Sequence, residues 1–185
     1  MSRGYFGIGV EGVNKPMNVG ALLRTAHAFD AAFVFTIAAD YTRREGVKAD
    51  TADTTLQVPF YAFPDLASMA LPKGCRLVGI ELLDEAHDLP SFRHPPQAAY
   101  VLGRERGSLT APLLARCDHV VRIPTRFCVN LAVAGALVMY DRLLTLGRFA
   151  ERPLHAGGPT QAKPTHRHGQ QLFRRFGPYR AAPPT

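Results

Sequence analysis

The stretch HRHGQQLFRRFGPYR, residues 166–180, sets Arg167, Arg174 and Arg175 among Phe173, Phe176 and Tyr179. Guanidinium groups bind phosphates and aromatic rings stack on bases, so this interleaving suits contact with a nucleic acid. It lies within a basic segment. Residues 151–185 hold Arg152, Lys163, Arg167, Arg174, Arg175 and Arg180 against Glu151 alone, the larger share of a net charge of +7, together with six of the 15 prolines. The segment shows no sustained apolar period, so it reads as a basic, Pro-rich C-terminal arm, extended rather than folded. A merely solubilising tail is the plain alternative to an RNA contact.

Other chemistry-bearing patterns are weaker. GIGVEG, residues 7–12, is a literal match to G-x-G-x-x-G. In a dinucleotide-binding fingerprint those glycines form the turn from strand to helix. Here the first two fall inside a strand-like run, and Val13 to Pro16 intervene before a helix can start, because Pro16 lacks an N–H and biases Lys15 towards extended backbone. The match reads as accidental, which removes the main ground for a nucleotide-dependent oxidoreductase. ELLDEAHD, residues 81–88, gathers Glu81, Asp84, Glu85 and Asp88 without calcium-loop spacing and reads as a solvated turn. His166 and His168 have no acid or cysteine near them in sequence, so no metal is expected. Cys75, Cys117 and Cys128 are odd in number and far apart, which indicates neither a disulfide framework nor a zinc site. No apolar leader is evident, and the most apolar stretch, Val129 to Leu146, is interrupted by Asn130, Asp141 and Arg142. A reduced, cytoplasmic protein with no membrane span is expected.

The elements that must position these groups follow from periodicity. Residues 4–10 read as a strand, followed by a turn at 14–16 and a helix with Ala21, Leu22, Ala26 and Phe29 at helical spacing and Asn18 as N-cap. Short apolar runs at 32–38, 58–63, 76–82, 98–103 and 119–124 read as buried strands. Short helices are expected from Pro64 and over 110–116. A last helix over about 128–147 is apolar nearly all round, hence buried on several sides. Strands alternating with helices, the strands apolar throughout, predict an α/β fold with a mostly parallel sheet. A domain over 1–150 and an arm over 151–185 are the expected divisions.

Three separated segments carry a further signal: NVGALLRTA from Asn18, YVLGRERGSL from Tyr100 and IPTRFCVNLAVA from Ile123. In this order they resemble the three motifs of the SpoU-type RNA ribose 2′-O-methyltransferases of the SPOUT superfamily, over about residues 4–147. The resemblance implies a trefoil knot in the C-terminal part of the sheet, S-adenosylmethionine as cofactor, and a homodimer with the site near the subunit interface. It implies catalytic roles for Asn18, Arg24, Glu105 and Asn130, and cofactor contacts from Leu82, Gly103, Ile123, Cys128 and Val129.

Arg24 is also suited to an RNA phosphate. A guanidinium, with a pKa above about 12, is costly to deprotonate, so Arg24 acts either as the base proposed for the family or as a cation that stabilises charge on the ribose oxygen. His27, one turn along, reads first as a helix-surface or packing histidine. Three positions depart from the family pattern: Arg104 and Arg106 stand where motif two has Asn and Gly, and Cys128 where motif three has Ser. The span from Ile123 to Asn130 is also short. Cys128 reads as a small packed residue rather than a nucleophile. The expected activity is methyl transfer to an RNA ribose 2′-hydroxyl, with tRNA favoured over rRNA because the layout is minimal. A non-catalytic RNA-binding relative is the alternative, motivated by those departures.

Overall fold

A computed structural model describes residues 4–39, 57–104, 107–147, 149, 152–153 and 156–157. Residues 1–147 form one unit and 148–185 a second. Within the first, the described elements are β1 (Tyr5–Glu11), α1 (Pro16–Ala28), β2 (Phe33–Ile37), β3 (Phe60–Phe63), β4 (Arg76–Ile80), β5 (His87–Asp88), a 3₁₀ turn (Leu89–Ser91), β6 (Gln97–Leu102), α2 (Ala111–Arg116), β7 (His119–Arg122) and α3 (Leu131–Leu146). The strands form one sheet in the order β3-β2-β1-β6-β4-β7-β5. Every described pairing is parallel.

The α/β fold with a parallel sheet is therefore as expected, and the apolar strands β1, β2, β4 and β6, almost wholly buried, explain it. Strand β3, within the run expected to be a buried strand, is an edge strand with Tyr61 and Ala62 exposed, and β7 is only partly buried because its neighbour β5 is a two-residue exposed strand. On one face Ile8, Val10, Val78, Ile80, Tyr100 and Leu102 meet Val19, Leu22 and Leu23 of α1 and Ala134, Val138 and Met139 of α3. On the other, Phe33, Phe35, Leu77, Ala99 and Val101 meet Leu109 and Leu113. The alternation of neighbouring residues between the two clusters follows from the two-residue period of a strand.

The glycines of GIGVEG have a packing role. Gly7 and Gly9 pair in register with Phe33 and Phe35. A Cβ at either glycine would lie only 2.2 to 2.5 Å from the ring of its partner. The rings lie across the bare backbone of β1, which is the usual reason for glycine inside a strand. Gly12, at a φ of +60°, ends the strand in a conformation that glycine adopts without strain.

Three expectations are corrected. No helix follows Pro64: residues 64–72 form turns, and Asp65 Oδ1 accepts the Ser68 N–H at 2.7 Å, a local bond that competes with helix formation. The N-cap of α1 is Lys15, with Pro16 in the first turn, so Asn18 is a helical residue whose side chain does not cap. Helix α3 is apolar nearly all round, yet Val133, Leu137 and Tyr140, at i, i+4 and i+7, form an exposed stripe. Among the described residues, no helix is long and apolar enough to cross a membrane.

A buried polar chain ties α3 to the starting edge of the sheet. Arg142 donates to the Tyr100 hydroxyl at 3.1 Å and to the Pro95 and Pro96 carbonyls at 2.6 and 2.8 Å. The Tyr100 hydroxyl lies 2.6 Å from His94 Nδ1, and His94 Nε2 lies 2.9 Å from Asp141 Oδ2. A neutral His94 satisfies every member, with Tyr100 donating to Nδ1 and Nε2–H donating to Asp141. Burial pushes the His94 pKa down, against the opposing pull of Asp141, and pushes the Tyr100 hydroxyl up to about 12.

Candidate functional site

In a parallel sheet, ligands bind beyond the carboxyl ends of the strands, where the order reverses direction. Here the order runs outward from β1 through β2 to β3 on one side and from β6 on the other. A cavity of about 360 Å³ opens at the carboxyl ends of β6, β4 and β7. Its apolar wall comes from Ile80, Leu102, Ile123, Val129, Leu131 and Ala134, and its polar groups from Lys15, Asn18, Glu81, Arg104, Thr125 and Asn130. That is a volume and a mixed lining suited to a nucleoside-sized ligand.

Three chain segments meet here. The Lys15–Asn18 segment starts α1. The Leu102–Arg104 segment leaves β6, where a Cβ on Gly103 would lie 3.1 Å from Glu81 Oε2 and from the Leu109 nitrogen. The Ile123–Asn130 loop joins β7 to α3 and is held by Thr125, whose N–H donates to the Ile123 carbonyl and whose Oγ1 donates to the Phe127 carbonyl, both at 2.8 Å. At its end Asn130 does two things. Its Oδ1 accepts the Ala132 N–H at 2.9 Å, capping α3. Its Nδ2 donates to Asn18 Oδ1 at 3.3 Å, joining α3 to α1.

The structure brings seven of the expected residues to this cavity: Asn18, Leu82, Gly103, Ile123, Cys128, Val129 and Asn130. Cys128 is exposed on the loop, in the lining of the cavity, rather than packed in the core. Arg24 is exposed on α1 and does not line the cavity. It shares the exposed face of α1 with Met17, Ala21 and Ala28. His27 is likewise exposed. Glu105, Arg167, Arg174 and Arg175 lie outside the described residues.

Two residues with no expected role hold the segment that follows motif two: Glu81, which lines the cavity, and Glu11, which does not. Glu81 belongs to β4's exit rather than to a solvated turn: its Oε1 accepts the Leu82 N–H at 3.0 Å and its Oε2 the Leu109 N–H at 2.7 Å. Glu11, only 4% exposed, accepts the Thr110 N–H at 2.8 Å and its hydroxyl at 2.6 Å. A carboxylate at the carboxyl end of an apolar strand was the available signal for both. Among the described residues, no group of three or more His, Cys, Asp or Glu side chains could hold a metal ion.

The sequence profile of the SpoU rRNA Methylase family matches residues 6–140. The tRNA (guanosine(18)-2′-O)-methyltransferase of Escherichia coli K12 is 27% identical over 137 residues, which cover 71% of this chain and 60% of that protein. A 23S rRNA (guanosine-2′-O-)-methyltransferase of Bordetella pertussis is 33% identical over 149 residues, covering 71% of this chain and 56% of that one. The chain thus spans under two thirds of the length of either relative. Among solved structures, the SpoU methyltransferase AviRb from Streptomyces viridochromogenes superposes with a TM-score of 0.66 at 23% identity, covering 78% of this chain and 61% of that one.

Proposed function

The chain belongs to the SpoU rRNA methylase family, and on that premise we propose that it is an S-adenosylmethionine-dependent methyltransferase acting on the 2′-hydroxyl of an RNA ribose. The observation that carries the reading is the convergence of the three motif segments on one cavity at the carboxyl ends of parallel strands. The proposal includes a homodimer, a cytoplasmic setting, a C-terminal part threaded as a trefoil knot, and a basic arm at 151–185 that binds RNA through Arg167, Arg174 and Arg175.

The residues present fit the cofactor. An apolar wall of Ile80, Leu102, Ile123 and Val129 suits an adenine ring, while Leu82 and Gly103 on strand exits and Cys128 and Val129 at the end of the β7–α3 loop offer backbone groups that can bond it. When bound, it supplies a methyl group on a sulfonium, already activated for transfer. What remains for the protein is to align the ribose oxygen, exclude water, accept or pass on a proton and stabilise charge on oxygen. Asn130 and Asn18 hold α1 and the β7–α3 loop together, so the wall and the RNA-facing helix keep one geometry. Arg24, exposed on that helix, binds an RNA phosphate or the developing oxygen charge as a permanent cation, and the proton leaves to phosphate or water. Glu105 positions the motif-two loop. The exposed stripe of Val133, Leu137 and Tyr140 on α3, which packs against α1, supports the homodimer, and the proposal puts Arg24 near its interface.

The arginines and aromatic rings of the arm support an RNA substrate, and the proposal takes tRNA in preference to rRNA. That preference does not rest on the relatives, which include enzymes for each. Arg104 in the cavity lining, where the family has Asn, is what favours the competing non-catalytic reading. The test is to measure cofactor binding by calorimetry and, in parallel, to incubate the chain with methyl-labelled S-adenosylmethionine and separate tRNA and rRNA fractions. Label in the tRNA fraction is expected. Label in rRNA alone corrects the substrate. Neither binding nor label in any fraction favours the non-catalytic relative.

A further inference from the structure

We infer that Glu11 and Glu81 are positioning residues that latch the far end of the motif-two segment, at Leu109 and Thr110, beside the cofactor cavity. The role rests on the function proposed above. The loop leaves β6 at Gly103 and regains regular structure at α2, which starts at Ala111. Its far end is held by carboxylates from two different strands. Glu81, at the exit of β4, receives the Leu109 N–H at 2.7 Å, and its other oxygen receives the Leu82 N–H at 3.0 Å, so one side chain of the cavity lining ties the exit of β4 to the segment that leads into α2. Glu11, the last residue of β1, receives both the N–H and the hydroxyl of Thr110, at 2.8 and 2.6 Å.

The details are those of a latch rather than of ordinary packing. Thr110 is the N-cap of α2, yet its side chain caps nothing; the hydroxyl is turned to Glu11 instead. Carboxylates accepting N–H and O–H donors form charge-assisted bonds, stronger than neutral ones. Glu11 is almost wholly buried, where a carboxylate is costly unless its bonds are made. At the near end, Gly103 leaves only 3.1 Å between a would-be Cβ and either Glu81 Oε2 or the Leu109 nitrogen, so a side chain there would have to push back the carboxylate or the backbone that it holds by a few tenths of an ångström. Through Glu11 the loop also reports on β1, whose next residues lead to Lys15 and Asn18 on the cavity wall. The latch thus fixes Leu109 and Thr110 relative to motif one.

The experiment compares the full chain with Glu81→Gln, Glu11→Gln and Thr110→Ser by calorimetric titration with S-adenosylmethionine, alongside kcat at saturating cofactor and thermal midpoints. An amide at 81 offers one acceptor oxygen for two N–H groups, so the dissociation constant is expected to rise about tenfold, with kcat at saturation changed much less. Thr110→Ser keeps both bonds and is expected to bind as the unaltered chain does. Asp65→Asn, which loosens a similar carboxylate-to-N–H bond in the 64–72 turns, is the control and leaves affinity unchanged. Should Glu11→Gln fail to fold, half-buried Glu81 decides alone. Folded Glu81→Gln with unaltered cofactor affinity overturns the latch while leaving the function standing. No binding by the unaltered chain overturns the functional reading, and the latch's role with it.

Discussion

Asn130 and Asn18 lie 112 residues apart in sequence and meet at 3.3 Å, Nδ2 of Asn130 donating to the side-chain oxygen Oδ1 of Asn18. The same Asn130 caps α3 through its own oxygen, so a single side chain has one stabilising and one organising bond.

Those two bonds are separable. Asn130→Asp keeps the oxygen that caps α3 and loses the donor to Asn18. Its thermal midpoint is expected to stay near that of the unaltered chain while methyl transfer falls by about tenfold or more. Asn130→Ala loses both and is expected to be destabilised by about 1 kcal/mol as well. Denaturation and turnover measured on both variants check the division; equal stability losses in the two would contradict it.

Arg24 is exposed, so its truncation should not disturb the core. Arg24→Ala is expected to abolish turnover while the urea midpoint shifts by less than about 0.5 kcal/mol in stability and cofactor affinity holds. Arg24→Lys, which keeps charge but not the two-pronged geometry, is expected to recover only part of the rate. Full activity in the alanine variant would remove Arg24 from the site.

His94 gives the fold a pH dependence with a definite sign. Its pKa is held below the ordinary histidine value, chiefly by burial, so the folded chain takes up a proton less readily than the unfolded one. The stability contributed by neutral His94 is present above the unfolded pKa, about 6.5, and is lost as pH falls from there through the folded value. Urea midpoints at neutral and mildly acid pH should differ more for the unaltered chain than for His94→Gln. Equal slopes would show that another group sets the dependence.

Removing residues 151–185 takes away Arg167, Arg174 and Arg175 with three other basic side chains. RNA affinity is expected to drop, and the slope of log K against log salt to shrink by roughly 0.7 to 0.9 for each RNA phosphate that the arm neutralises. Cofactor affinity is expected to be unchanged. RNA binding that is insensitive to salt, or equal in the shortened chain, would take the arm out of the account.

The legible part of this molecule is the part written in local pattern. Apolar runs such as AFVFTIA and RLVGIEL mark buried strands because a parallel strand covered on both faces needs no polar alternation. The cap of α3 is a bond of the same local kind, since Asn130 accepts from a residue two positions away. What stays hidden depends on partners distant in sequence. Glu11 looks like any strand-end acid until Thr110 is beside it, and Glu81 looks like one of four acids in a turn until Leu109 is. The glycines of GIGVEG are explained only by the rings of Phe33 and Phe35 across the strand pair. The start of α1 is easily misplaced because Asn18 suits a cap chemically, whereas Pro16 fixes where the helix begins.

The most direct test of the central claim is to locate the transferred methyl group. The full chain is incubated with unmodified RNA and S-adenosylmethionine deuterated in its methyl group, the RNA is digested to nucleosides, and these are resolved by mass spectrometry. The account predicts the heavy methyl on ribose, in a 2′-O-methylated nucleoside, and its loss in Arg24→Ala. A heavy methyl on a base, or unlabelled RNA from a chain that demonstrably binds the cofactor and RNA, would contradict it.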